Sequence, residues 1–204
     1  MEEHLRYADI EDSQQRSRLT ALISEVPELM KVLRHLRAIR LPDYLVGGGA
    51  IYQTVWNALT GRPRWYGIKD IDVIYFDDAD LSYEAEDRVI RAVLPVAWDL
   101  AIPLQIRNQA RVHLWFKERF GFSVEPLRCS KEALLRYSTK THSVAVRLAD
   151  DDQLHIEAPF GLNDMFSFRV VPNYALDNRI THEKKAARAK ALWPEVSVHH
   201  WGRR

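Results

Sequence analysis

Cysteine is almost absent from this sequence. Its 204 residues hold Cys129 alone, so no intramolecular disulfide and no cysteine-paired zinc site can form, and a reducing compartment is expected. An excess of one charge is missing too. Lysine and arginine number 29 against 28 for aspartate and glutamate, which excludes the field of a protein that coats nucleic acid non-specifically and leaves only local basic patches. No apolar run approaches the ~18 residues of a membrane span. The start Met-Glu-Glu-His-Leu-Arg lacks the basic-then-apolar layout of a signal peptide, so a cytoplasmic chain with no membrane partner is expected. There are no repeats or low-complexity tracts. Gly-x-Gly-x-x-Gly and Gly-Lys-Ser/Thr are both absent, which excludes the dinucleotide fingerprint and the P-loop. The lack of paired His-Asp metal spacing argues against a phosphohydrolase.

What the chain does have is enough apolar content for a core. Hydrophobic residues make up 47% of it, and a chain of this length buries roughly 70% of the surface it exposes when unfolded. Leu19, Leu22, Ile23, Val26, Leu29, Met30, Leu33 and Leu36 recur at helical steps. Pro27, which cannot supply its N–H, predicts two helices or a kink there. Tyr44-Leu45-Val46 reads as a short strand, Gly47-Gly48-Gly49-Ala50 as a tight turn and Ile51 to Leu59 as a helix. Asp70 to Phe76 has the strongest strand content in the chain. Beyond it a helix over 82–94, a strand over 103–108 and a short helix over 111–119 are expected. A helix over 130–137, strands over 142–148 and 153–157 and a basic helix from about Thr181 to Leu192, ended by Pro194, complete the reading. The fold class is α/β, with a mixed sheet. A core over 1–125 with a C-terminal α+β extension over 126–204, or else a single domain, is the expected organisation.

Asp70 and Asp72 carry the chemistry. Alternation on a strand points both carboxylates to one face, roughly 6.5 to 7 Å apart along the chain, while Ile71 and Val73 point to the other. Like charges held that close call for a cation or a row of donors, and hard oxygen ligands suit magnesium. The alternative is a strand end whose aspartates enter solvent or cap a turn. Gly47, Gly48 and Gly49, between strand and helix, let backbone N–H groups approach an anion, and a helix N-terminus favours phosphate there.

The combination of strand, glycine turn, helix and Asp-hydrophobic-Asp resembles the core of the nucleotidyltransferase superfamily that includes DNA polymerase β and the aminoglycoside nucleotidyltransferases. More closely, Leu45 to Ala50, Val55-Trp56-Asn57, Lys69-Asp70-Ile71-Asp72, Arg107 to Trp115, Ala158 to Leu162 and Pro172-Asn173 resemble a family of small bacterial nucleotidyltransferase-like proteins, over roughly residues 20 to 195. The resemblance implies a polymerase β palm-like fold. It also implies magnesium- or manganese-dependent transfer of a nucleoside monophosphate from a nucleoside triphosphate to an acceptor hydroxyl on a small molecule, an RNA or a protein. Asp70 and Asp72 would be catalytic and hold the metal. Gly47, Gly48, Gly49, Lys69, Arg107, Asn108 and Arg111 would bind nucleotide or phosphate. The superfamily's third carboxylate falls where this chain reads Leu104-Gln105-Ile106, and glutamine brings neither charge nor a base near neutral pH. Glu157, with Asp164 a further candidate, would have to complete the metal site. Otherwise one metal suffices, or the protein is a degenerate nucleotide-binding or regulatory member, including a partner in a toxin–antitoxin pair.

Several residues have equally ordinary readings. Asn108 can cap a helix, and Arg107 and Arg111 can form structural ion pairs. His113 reads as a partly buried histidine. The basic residues from Arg179 onward read first as a solvated helix face and second as a polyanion contact, with Trp193 and Trp201 as stacking surfaces or core anchors. His199-His200 is too short a cluster for a metal site.

Overall fold

Proline at the first turn of a helix costs nothing, because its missing N–H has no intrahelical acceptor there. In the computed structural model, which describes residues 2–202, Pro27 occupies that place and divides the long apolar stripe into α1 (Asp12–Ser24) and α2 (Pro27–Ala38). The stripes of both are buried at Leu19, Leu22, Ile23, Leu29, Leu33 and Leu36. Then follow β1 (Leu45–Gly47), α3 (Gly49–Leu59), β2 (Ile71–Tyr75), α4 (Tyr83–Val93), β3 (Leu104–Asn108) and α5 (Val112–Phe120). The chain continues with α6 (Ser130–Leu135), β4 (Ala145–Leu148), β5 (Leu154–Glu157), α7 (Asn163–Phe166), β6 (Arg169–Val170), α8 (Arg179–Leu192) and β7 (Ser197–Val198).

Five strands form one mixed sheet in the order β3-β2-β1-β4-β5, and β6 pairs with β7 in a separate ribbon. Within the five-stranded sheet only β2 and β3 run parallel, and the β6–β7 ribbon is parallel too. The stretch over 126–204 supplies β4 and β5 to the same sheet as β1. The strand expected over 142–148 begins only at Ala145, since Lys140–His142 form a 3₁₀ turn.

The helix α3 is apolar almost all round, which marks a helix surrounded by other elements. Ala50 to Asn57 are all buried. Trp56 is its central ring, packed on Phe168 at 5.5 Å and edge-on to Trp193 at 5.3 Å, with its Nε1–H donated to the Met165 carbonyl at 2.9 Å. Trp193 is fully buried and donates to Asn57 Oδ1 at 3.1 Å. It is therefore a core anchor and not a stacking surface, and it pins the C-terminal end of α8 against α3. Gly67, at φ +73°, permits that approach: a Cβ there would lie 2.5 Å from the Trp193 ring. No helix among the described residues is long and apolar enough to cross a membrane.

Candidate active site

A strand presents alternate residues to opposite faces. Ile71, Val73 and Tyr75 are buried in the core, which leaves Asp70 and Asp72 on the other face, where a cleft of about 220 Å³ opens. Its walls come from four places: Gly49, Tyr52 and Gln53 at the start of α3, Lys69 and Asp70 before β2, Asp72 on β2, and Lys185 and Arg188 on α8. Both aspartate-bearing and glycine-bearing strands are interior to the sheet, not at its edge.

The three glycines do different work. Gly47 is a ladder residue opposite Asp72 and Ala145, and a Cβ on it would meet the Ala145 Cβ at 3.0 Å. Gly48 has φ +64° and ψ −135°, a backbone conformation that only glycine adopts readily. A Cβ on Gly48 would stand 2.9 Å from Asp72 Oδ2, so its hydrogen is what lets the carboxylate pack on the turn. The Gly48 N–H is donated to the Val144 carbonyl at 3.1 Å. Of the three, Gly49 alone lines the cleft, at the first turn of α3, where N–H groups precede any helical acceptor.

The electrostatics follow from this crowding. Burial, and then the neighbouring charge of Asp70, push the Asp72 carboxyl up to about 6, against the pull of Lys185 and Arg107. Burial pushes the Tyr52 hydroxyl up to about 12, so it stays protonated. Lys185 keeps exposed surface, yet desolvation by the protein around its ammonium lowers its pKa, opposed by attraction to Asp72 and Asp70. Gln53 donates to the Tyr52 hydroxyl at 2.7 Å and leaves its own Oε1 buried without a partner among the described residues. His142 stacks on Tyr52 at 4.1 Å with both ring nitrogens buried and without a partner among the described residues. Burial holds it well below 6.5, helped by Lys185, His182 and Arg188, so it stays a neutral ring supporting Tyr52.

Gln105 lies on β3 directly opposite Asp72, and its Nε2–H is donated to Asp70 Oδ2 at 2.7 Å. Glu157 does not take the vacant third-acid role. The ladder row runs Glu157, Ala145, Gly47, Asp72, Gln105, which sets Glu157 three strands, or roughly 14 Å, from Asp72. Asp164 is paired with Arg169 at 3.0 Å. No group of three His, Cys, Asp or Glu able to hold a metal occurs among the described residues.

Two expected nucleotide-binding residues are consumed elsewhere. Asn108 is buried, accepts from the Ala110 N–H to cap a 3₁₀ turn and donates to the Asp77 carbonyl at 2.8 Å. Arg111 forms a largely buried ion pair with Glu86, whose other oxygen accepts the Asn108 N–H. Arg107 is exposed and lies beside the cleft, not in its wall, while His113 is half-buried on α5. Conversely, Tyr52, Gln53 and His142 belong to the site although the sequence does not single them out, and Lys185 and Arg188, which read first as part of a solvated basic face and second as a polyanion contact, line its wall. The only hint was the basic character of α8. Arg188 is held by donating to the Gly67 carbonyl, and Lys185 sits over the Tyr137 ring at 5.9 Å. Two other α8 charges are spent locally: Glu183 accepts from the Trp201 N–H and His200, and Lys190 donates to the Pro194 and Val196 carbonyls. Arg203 and Arg204 lie outside the described residues.

Comparison with known proteins agrees with this architecture. A solved NMR structure described as revealing a CCA-adding enzyme head domain superposes with a TM-score of 0.72, covering 91% of this chain and 96% of that one at 20% identity. At that identity the likeness is one of fold. No curated protein matches the sequence. Residues 34–198, from the middle of α2 to the end of β7, match the sequence model of a nucleotidyltransferase family. By that match the chain belongs to the nucleotidyltransferase family.

Proposed function

We propose that the protein transfers a nucleoside monophosphate from a nucleoside triphosphate to an acceptor hydroxyl, with magnesium or manganese bound by Asp70 and Asp72. The observation that carries this reading is the pairing of two same-face carboxylates with a basic wall, Lys69, Lys185 and Arg188, in one cleft beside a helix start. The donor set fits a hard divalent cation. Two carboxylates and the orphaned Gln53 Oε1 are oxygen donors, and Asp72 carries its charge at a cost that a cation would remove. Magnesium commonly takes one or two carboxylates and completes its shell with waters and substrate phosphates. Bound there, the cation would supply charge neutralisation at the α phosphate.

The chain's own groups do the rest. The cleft is below the usual ~300 Å³ of a small-molecule site, so it receives the phosphates while sugar and base lie outside. Lys185 and Arg188 hold the β and γ phosphates and offset the charge that grows on departing pyrophosphate. Gly49 and the following residue of α3 offer N–H groups to the same oxygens. Tyr52, kept protonated, offers a hydroxyl proton and never a negative charge. Gln105 has no base to offer, so the acceptor's proton is released to water as the new O–P bond forms. Most of the rate then comes from positioning and charge neutralisation.

Calorimetric titration with each of the four ribonucleoside triphosphates, with and without magnesium or manganese, tests this. Metal-dependent binding is expected in the natural chain, lost in the Asp70→Asn, Asp72→Asn double variant and weakened at least tenfold in Lys185→Ala, Arg188→Ala. Equal binding in all three would sink the proposal. Gln105 favours a second reading, a degenerate member that binds the triphosphate without transferring it. Tight metal-dependent binding with no pyrophosphate released in the presence of candidate acceptors would select it.

A further inference from the structure

In-line displacement requires the attacking oxygen to enter opposite the departing pyrophosphate. The groups assigned to the phosphates come from the β1–α3 turn and from α8, which is anchored on α3 through Trp193 and Trp56. Since the sheet order is β3-β2-β1, the acceptor side of Asp72 is the β3 side. There Gln105 reaches Asp70, and Arg107 follows two residues later on the same strand face, roughly 6.5 to 7 Å further along.

Arg107 opens into a second and larger concavity of about 590 Å³, within the range of ligand sites. It lies over the end of β3, between the start of α4 and the face of α5. Tyr83, 72% exposed, and half-buried Trp115 supply rings. Arg119 lies over Trp115 at 5.9 Å, and Glu118 adds an acceptor. The Arg111–Glu86 pair closes the floor with its charges cancelled, whereas neither Arg107 nor Arg119 forms an ion pair among the described residues. Guanidinium groups with no carboxylate partner among the described residues, Arg119 lying over the Phe120 ring at 5.6 Å as well, bind a planar base together with its phosphate beside a ring, and a neutral sugar would make no use of their charge.

We infer that this groove holds the acceptor, and that the acceptor is a nucleotide unit: its base stacks on Trp115, its phosphate pairs with Arg107 and Arg119, and its hydroxyl is directed past Gln105 toward Asp70 and Asp72. The direction of entry rests on the nucleotidyl-transfer reading; the binding chemistry of the groove does not. The unit is either a free nucleotide or the end of a nucleic-acid strand.

The test is fluorescence anisotropy of a labelled hexa-adenylate with the full chain in EDTA, where the cleft lacks metal. Trp115→Ala should weaken binding roughly 5- to 150-fold, and Trp115→Phe, which keeps a ring, should restore most of it. Arg119→Ala, at an exposed position that does not threaten folding, should weaken binding and reduce its salt dependence by about one phosphate contact. Asp70→Asn, Asp72→Asn should not weaken it, because without metal those two carboxylates only repel a polyanion. Displacement by adenosine monophosphate identifies a free nucleotide as the ligand, and displacement by unlabelled oligonucleotide alone identifies a strand end. Absence of binding, or binding indifferent to both Trp115→Ala and Arg119→Ala, overturns the groove even where the cleft takes metal and triphosphate. Trp115-dependent binding in a chain that takes no metal-dependent triphosphate supports the groove and overturns the transfer reading instead.

Discussion

Gln105 and Asp70 are joined by an amide-to-carboxylate hydrogen bond of 2.7 Å, on the rung of β3 that faces Asp72. A neutral donor thus sits where a third acid would crowd the pair. Gln105→Glu exchanges that donor for a third negative charge, so in EDTA the variant should be less stable by about 1 kcal/mol. Manganese should then raise its melting temperature more than it raises that of the natural chain. Thermal unfolding of both proteins with and without the ion measures this, and equal metal-induced rises would separate Gln105 from any cation site.

Gly48 and Asp72 share space that a methyl group would fill. Gly48→Ala must hold alanine at φ +64° with its Cβ 2.9 Å from Asp72 Oδ2, which together should cost about 2–4 kcal/mol. Chemical denaturation is the measure. A loss below about 1 kcal/mol would mean that the turn relaxes freely and does not hold the carboxylate.

Asp72 keeps its proton to about pH 6 in the folded chain, whereas the ordinary carboxyl value is 3.8. Between these values the native state binds more protons than the unfolded one, so this group makes stability fall as pH rises through the window and stay reduced above it. Because Asp72 retains some contact with solvent, the effect should be about 1–2 kcal/mol, less than the full shift would give. Asp72→Asn should therefore be more stable than the natural chain near pH 8 by about that much, with the gap closing below pH 4. Urea midpoints at the two pH values, without divalent metal, decide it; a constant gap would assign the difference to packing.

Arg111 and Glu86 are both largely buried, and Glu86 also receives the Asn108 N–H. Arg111→Ala leaves that carboxylate uncompensated and should cost about 3–5 kcal/mol. Replacing both partners, as Arg111→Met with Glu86→Gln, should recover much of the loss. A single variant that unfolds at the same denaturant concentration as the natural chain would contradict a structural role.

Much of the framework was legible because it is local. The β-branched run from Ile71 to Tyr75 reads as a strand, alternation then puts Asp70 and Asp72 on one face, and Pro27 can only begin a helix. Asn108 offered two readings, cap or ligand, and the capped 3₁₀ turn that follows it takes the first. Glu157 shows why a local pattern misleads: its hydrophobic-acid setting is right, but sheet order is a property of the whole chain and puts it three strands away.

The basic wall of the cleft was the least legible part. Along α8, Lys185 and Arg188 look like any solvated helical charges, because spacing on a helix says which residues share a face and not what that face meets. What decides it is the burial of Trp193 against Trp56 and Gly67, which fixes the position and rotation of α8 and so carries its cations to the carboxylates. The sequence by itself determined the strand, the glycine turn and the paired acids, since those depend on neighbouring residues. Tertiary packing alone decided which distant charges complete the site, since only burial of the core brings α8 across the start of α3.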